Sequence, residues 1–478
     1  MNPNLAFRQA RWLFGLVCAF LWGATDTALA ALTEPQQACL AKAWRHEKHG
    51  WVFVHVEGTA RERGFQHGYL LAGEIVECLR VQRALWHHDS ALDWPWLVEK
   101  AKAMYEAQID PETLEELDGL VEGLGAAGVS SSRAEMIAYN AYFELAWYWW
   151  PQHKKTLDAS VLPPPRQGCS SFIATGSATA DRGVVLGHNS MVDYPEATAN
   201  VVMDIAPQSG HRILWQTWPG WLHSGTDFFV TDAGLVGSET TIGGFQPYDE
   251  KGVPEFVRMR RATQDASSID EWCAILKRGN TGGYANAWLL GNVNSGEIAR
   301  LELGLKRVSF ERKRDGWFLG SNIAENLGLL RYETDSNEND MRQSNIARRA
   351  RWKNLMGAHA GKIDLALAKR FEADHFDSWL GKTVPDGRTL CGHNELEPNP
   401  FGAWPGAPFY PAGTFDGKVV DASMAKQMSF AARWGAACGH AFNADKFLAA
   451  HTQFDWMRGL LKSRPSQPWT VFRAGEKR

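Results

Sequence analysis

The chain has 478 residues and a formal net charge of −4 at pH 7. That length gives room for a large core in two to three lobes, at roughly 100–200 residues each. Its 45% hydrophobic and 22% charged residues are those of an ordinary globular protein, and the slight acidity excludes the basic footprint of a nucleic-acid binder.

Residues 1–30 have the form of a secretory signal. Arg8 and Arg11 make its positive end, residues 12–24 its apolar stretch, and Ala28-Leu29-Ala30 a small-residue cleavage site. The apolar run is too short to span a bilayer, and no later run is long enough. The expectation is an exported protein, periplasmic or secreted (or lumenal, in a lysosome-like compartment, if the source is eukaryotic), without stable membrane insertion. Loss of Cys18 with the signal leaves six cysteines, at 39, 78, 169, 273, 391 and 438.

Residues 31–150 read as a mostly helical segment. A strand at 51–57 leads into a helix through residue 80, whose Gly64, Gly68 and Ala72 share one smooth face for close backbone packing. A second helix covers 93–125. Ser132 and Glu135 form a capping box for a third, which Pro151 is expected to stop. Residues 151–168, polar and proline-rich, read as an exposed linker.

The texture changes at Gly168-Cys169-Ser170-Ser171-Phe172. Short β-like runs follow at 170–175, 184–187, 201–205, 213–217, 228–231 and 235–241. A helix at 254–278 intervenes, strands resume between 287 and 319, and helices return near 339–358 and 363–371. The tail from 380 is rich in Gly, Pro and aromatics and is expected to wrap the surface. This alternation is that of an α+β sandwich with sheets between helical layers. The 22 tryptophans are read mainly as core.

A Gly-Cys step between a soft linker and a new strand is where a self-cleaving precursor would be cut. Cleavage between Gly168 and Cys169 would put a thiol and an α-amine on one residue. That amine, with a pKa near ~7.7–8, suits a general base. A buried core cysteine is the plain alternative. Other polar residues interrupt apolar strands or lie at their ends: His188-Asn189, Glu239-Thr240-Thr241 and Asn286, with Arg258 early in the following helix. Each alone also reads as structural. Cys391-Gly392-His393 and Cys438-Gly439-His440 form a duplicate. A disulfide between Cys391 and Cys438 is expected in an exported chain. A Cys₂His₂ zinc site is the alternative, although Cys-x-His is not a usual ligand spacing.

Taken in order, these motifs resemble the phospholipase B-like proteins, a family of N-terminal-nucleophile (Ntn) hydrolases. The resemblance rests on Cys169-Ser170-Ser171-Phe172, Gly187-His188-Asn189, and Ser224-Gly225-Thr226-Asp227-Phe228-Phe229. It continues through Glu239-Thr240-Thr241-Ile242, Tyr284-Ala285-Asn286-Ala287-Trp288, Arg388-Thr389-Leu390-Cys391 and Phe415-Asp416-Gly417-Lys418-Val419. Arg63-Gly64-Phe65-Gln66-His67-Gly68 fits the N-terminal part.

The resemblance implies an αββα four-layer sandwich over residues 169–478, and a precursor that cuts itself into two chains that stay together. It implies cleavage of amide or ester bonds in a small acylated substrate. Cys169 would be the nucleophile and Asn286 an oxyanion donor. His188, Thr240 and Thr241 would line the site, with Glu239 and Arg258 as further candidates. Asn189, Trp221 and Trp288 are candidates for the substrate pocket. No metal or organic cofactor is required. Three other readings stand beside this one. The chain could transfer the acyl group to an amine acceptor, or be a non-catalytic exported lipid- or glycan-binding protein. A papain-type protease is the third, disfavoured because its cysteine opens a helix rather than a strand.

Overall fold

The computed structural model describes residues 32–157, 168–399 and 407–477. The signal-like residues 1–30 and most of the expected linker lie outside them.

The chain begins with α1 (Glu34–Leu40), the hairpin β1 (Trp44–Lys48) and β2 (Trp51–Gly58), then α2 (Ala60–Leu70), α3 (Ala72–Ser90), α4 (Trp94–Tyr105), α5 (Pro111–Ala126), α6 (Arg133–Asn140) and α7 (Trp150–Leu157). Strands β3 (Cys169–Thr175), β4 (Val185–Asp193), β5 (Val201–Pro207), β6 (Ile213–Thr217), β7 (Phe228–Thr231) and β8 (Leu235–Thr241) follow. Helices α8 (Glu255–Asp265) and α9 (Ile269–Lys277) lead to β9 (Asn286–Asn292), β10 (Glu297–Leu303), β11 (Val308–Lys313) and β12 (Gly316–Gly320). Next come α10 (Leu327–Glu333), α11 (Ser344–Ala358), α12 (Leu365–Glu372) and the short pair β13 (Phe376–Asp377) and β14 (Lys382–Thr383). The last elements are β15 (Ala412–Thr414), β16 (Asp416–Asp421), α13 (Ala422–Lys426), β17 (Ser429–Trp434), α14 (Ala444–Ala450) and β18 (Thr470–Arg473).

Two sheets carry the core. One runs β1-β2-β5-β6-β7-β8-β9-β10-β11, and the other β12-β3-β4-β16-β17-β18 with β15 paired to β4. All pairings are antiparallel except β2 with β5. The sheets meet face to face. Ser171 Oγ of β3 lies 2.6 Å from Ser238 Oγ of β8, and Thr240 of β8 packs so closely on β12 that a Cβ on Gly320 would sit 2.5 Å from its hydroxyl. Helices cover both outer faces. Trp272 of α9 stacks on Phe229 and meets Trp288 edge-on. On the other side, Phe172 of β3 packs against Trp352 of α11 and Phe371 of α12. The architecture is the expected α+β sandwich in αββα order.

The smooth helical face has its counterpart on α5. A Cβ on Gly64 would lie 2.0 Å from the Glu116 carbonyl oxygen, and one on Gly119 would lie 2.2 Å from that of Arg61. The two backbones touch; α2 ends at Leu70, so Ala72 begins α3 instead of extending the α2 face.

Other boundaries differ from the sequence reading for local reasons. The helix expected over 93–125 is divided by Asp110, whose carboxylate accepts from Thr113 N–H at the start of α5. That expected over 254–278 is divided by Ser268, which caps α9 in the same way. Pro151 does not stop its helix. A π-helical turn at Glu144–Trp149 comes first, with Trp150 N–H bonded to the Leu145 carbonyl. Pro151 then falls in the first turn of α7, where its missing N–H costs nothing. The tail does more than wrap the surface: β16, β17 and β18 supply half of the second sheet's pairing order. Among the described residues no helix is long and apolar enough to cross a membrane.

Candidate active site

Cys169 opens β3 and is buried, 6% exposed. In the β3–β4 register it lies opposite Ser190, and Ser171 lies opposite His188. Its backbone N–H donates to Asn322 Oδ1 at 2.8 Å, and its carbonyl accepts from Arg348 Nη1. Arg348 Nη2 donates to the same Asn322 oxygen at 2.8 Å. Asn322 Nδ2 in turn donates to the Thr241 carbonyl at 2.8 Å. Asn322 thus ties the first residue of β3 to the last of β8. It does so from φ +65°, a left-handed conformation that asparagine tolerates better than most side chains.

The thiol faces acid. Cys169 Sγ and a carboxylate oxygen of each of Asp227 and Glu239 all lie within 4.8 Å of one another. Asp227 has φ +60° and accepts from the Tyr284 hydroxyl at 2.7 Å. Burial pushes both carboxyls well above the ordinary range, and for Asp227 the charge of Glu239 adds to it. Both carboxyls therefore favour their protonated forms. Beside Ser190, Lys418 Nζ donates to Ser190 Oγ at 2.6 Å and to Asp416 Oδ1 at 2.8 Å. Burial first, and then the Asp227 charge, push the Cys169 thiol up to about 12, so with its amide bond intact the residue is a neutral thiol.

His188 Nε2 donates to the Glu239 carbonyl at 2.9 Å, and its Nδ1 is buried without a partner. Burial holds the ring far below its usual range, so it is neutral. Thr240 Oγ1 is also buried and unpartnered, and so are both amide atoms of Asn286, which begins β9 opposite Thr241. Buried amides without partners are rare; this one makes no hydrogen bond within the protein.

Four expected site residues are committed elsewhere. Arg258 donates to the carbonyls of Val253 and Leu276, with Glu144 and Glu255 as its charge neighbours; the guanidinium at Cys169 is that of Arg348. Asn189 alternates to the far side of β4 and donates to the Glu372 and Leu390 carbonyls. Trp221 stacks on His223 within the aromatic core, and Trp288 lies between β9 and α9. Both rings are fully buried. The expected disulfide is not formed either: Cys391 and Cys438 are free thiols that share His393 as a neighbour.

A family model described as Phospholipase B matches residues 101–301. Over part of its length the chain is similar to the phospholipase B-like proteins. It is 37% identical to the human protein "Putative phospholipase B-like 2" over 87 residues, 17% of this chain and 15% of that one. It is 36% identical to the Bos taurus protein of the same description, with the same coverage. An uncharacterized protein of Archaeoglobus fulgidus is 26% identical over 208 residues, 39% of this chain and 32% of that one. The matched regions thus span between about a seventh and a third of these relatives. Among solved structures, a mutant conjugated bile acid hydrolase from Clostridium perfringens superposes with TM-score 0.29 at 10% identity, covering 55% of this chain and 89% of that one. Penicillin V acylase from Agrobacterium tumefaciens gives 0.29 at 11% identity, over 56% and 83%.

The phospholipase B-like match takes in Cys169, His188, Asp227, Glu239 and Asn286. It leaves out Asn322, Arg348 and Lys418; sequence reasoning missed the first two and met Lys418 only within a motif, without a role in the site. Arg348 sits in a run of basic residues that reads as a solvated helix face, and only the buried partners of its guanidinium reveal otherwise.

Proposed function

We propose that the chain is an exported, self-cleaving hydrolase of acyl amide or ester bonds, with Cys169 as its N-terminal nucleophile. One observation carries the reading. The backbone nitrogen of Cys169, held by Asn322 Oδ1, is the atom that becomes an amine if the Gly168–Cys169 bond is cut. The phospholipase B-like relationship supports the reaction class.

In the precursor the Cys169 thiol gives up its proton as Sγ attacks the Gly168 carbonyl. The tetrahedral centre collapses by breaking the C–N bond, and the freed nitrogen takes the proton. Water hydrolyses the resulting thioester, leaving a Gly168 carboxylate and a free Cys169 thiol. Departure of the linker admits water, weakens the desolvation that holds the thiol neutral, and leaves an acceptor, Asn322 Oδ1, against the new amine.

In the mature enzyme that amine takes the thiol proton, directly or through a water. The sulfur attacks the acyl carbonyl, and Asn286 Nδ2 donates to the oxyanion. The ammonium protonates the leaving group, and water releases the acid from the acyl-cysteine. The substrate is a small acylated molecule, and the two chains stay associated through the shared sandwich. No step calls for a cofactor.

Intact-mass measurement and N-terminal sequencing of the purified protein test this. Two chains, the larger beginning at Cys169, together with a single uncut Cys169→Ala chain inactive on acyl amides and phospholipid esters, support it. Hydrolysis by uncut Cys169→Ala protein overturns it.

A further inference from the structure

The two free thiols set aside by the missing disulfide lie in a second cluster. His375, Cys391, His393 and Cys438 each place a ligand atom so that all four lie within 4.8 Å of one another. Cys391 and His393 are fully buried. We infer that these four side chains form a tetrahedral zinc site that pins the C-terminal segments behind β4.

The distances fit the metal. Bonds of about 2.3 Å to sulfur and about 2.0 Å to nitrogen, at a tetrahedral angle, separate a thiolate from an imidazole nitrogen by about 3.5 Å. His393 Nε2 lies 3.6 Å from Cys391 Sγ and 3.4 Å from Cys438 Sγ. A donor set of two thiolates and two imidazoles selects zinc over the oxygen-seeking cations.

The surroundings are those that ligands need. His393 Nδ1 pairs with Glu395 Oε1 at 2.9 Å, and Glu395 Oε2 accepts from the Tyr194 hydroxyl at 2.7 Å. A carboxylate on Nδ1 fixes the tautomer and turns Nε2 toward the metal position. The His440 N–H donates to Cys438 Sγ at 3.3 Å, so His440, the partner suggested by the Cys-x-His repeat, contributes its backbone while His375 contributes its ring. His375 Nε2 is buried, and its ring faces Cys438. A disulfide would satisfy the two sulfurs but not His393 Nε2 and His375 Nε2, whereas one cation satisfies all four.

The ligands also stitch distant segments together. Cys391 N–H donates to the Asp374 carbonyl, which brings its segment to His375, and Gly392 pairs with Thr414 of β15. β15 pairs with β4, the strand that carries Ser190 opposite Cys169. Cys438 comes from the loop after β17.

The test is elemental analysis of the full-length protein, tag removed and purified without chelator, with parallel thiol counting. We expect about one zinc per chain, and a loss of at least tenfold in bound zinc for His375→Ala and Cys438→Ser. Glu395→Gln should retain zinc but release it to a chelator about tenfold more readily. Should Cys438→Ser fail to fold, a cobalt-loaded wild type showing thiolate-to-cobalt absorption, weakened in step with metal loss in His375→Ala, gives the same answer. Non-reduced peptide mapping that finds Cys391 joined to Cys438, or wild-type protein purified without zinc and unable to bind it, overturns the inference.

Discussion

Asn322 Oδ1 receives two donors at the same 2.8 Å, the backbone N–H of Cys169 and Nη2 of Arg348. A cationic donor on one side leaves that oxygen fixed as an acceptor for whatever Cys169 nitrogen becomes. Under the proposed cleavage at Gly168–Cys169, it would orient the new amine toward the thiol. Asn322→Ala, which removes that oxygen, should lower kcat about 100-fold, as expected for misplacing a general base. Asn322→Asp keeps an acceptor and should recover part of the loss. It should also shift the acidic limb of the kcat/KM–pH profile upward, because a carboxylate beside an amine favours its charged form. Steady-state kinetics of pre-cleaved protein across pH check both. A purely structural Asn322 would leave the profile in place.

Asn286 makes a sharper separation between stability and catalysis. Neither of its amide atoms has a partner in the folded protein, so Asn286→Ala breaks no hydrogen bond and should leave the melting temperature within a few degrees of wild type. Loss of an oxyanion donor costs about 10²–10³ in kcat in comparable sites. The expected result is therefore an intact, stable enzyme with kcat reduced in that range and KM little changed. A variant with full turnover would remove Asn286 from the oxyanion site.

The sequence made some of this arrangement legible and hid the rest. Cys169, His188 and Asn286 stand out because each interrupts or begins an apolar strand, and the strand period places them in one core. Gly64 and Gly68 announce a close helix contact by their spacing. The contributions of Asn322, Arg348 and Lys418 depend on long-range pairing, and no local pattern distinguishes a buried arginine from a solvated one. The tail strands were masked by Gly and Ala, which carry weak β preference and occupy β16 and β17 because the sheet is covered on both faces. Arg258 shows the converse. Its position in a motif-rich region suggested chemistry, but nearby carbonyls and Glu144 and Glu255 engage it.

The α2–α5 contact gives a paired test on two glycines. Gly64 has no room: its added Cβ would lie 2.0 Å from a backbone oxygen, which cannot swing aside as a side chain would. Gly64→Ala should therefore push the helices apart and destabilise by about 2–3 kcal/mol. Gly73, near the start of α3, has nothing within 4 Å of its Cβ position. There alanine should stabilise by about 0.5–1 kcal/mol through helix propensity and a stiffer unfolded chain. Thermal or denaturant unfolding of the two variants should move in opposite directions, and equal shifts would refute the close contact.

His67, on the same helix, predicts a pH dependence. Its Nε2 accepts from the Gly220 N–H at 2.8 Å, and burial lowers its pKa to about 4 from an ordinary 6.5. The unfolded chain therefore binds a proton between pH 6.5 and 4 that the folded chain refuses. The contribution of His67 is fully present above pH 6.5 and is lost as pH falls toward 4, by up to roughly 3 kcal/mol. Burial raises Glu144 and Asp193 to about 7, and these carboxyls act with the opposite sign over part of the same window. The measurement is thus a difference. His67→Gln keeps an acceptor for Gly220 but cannot titrate, so the stability gap between wild type and this variant should move against wild type as the pH drops from 6.5 to 4. A gap that stays constant across that range would mean that His67 is not held neutral by its burial.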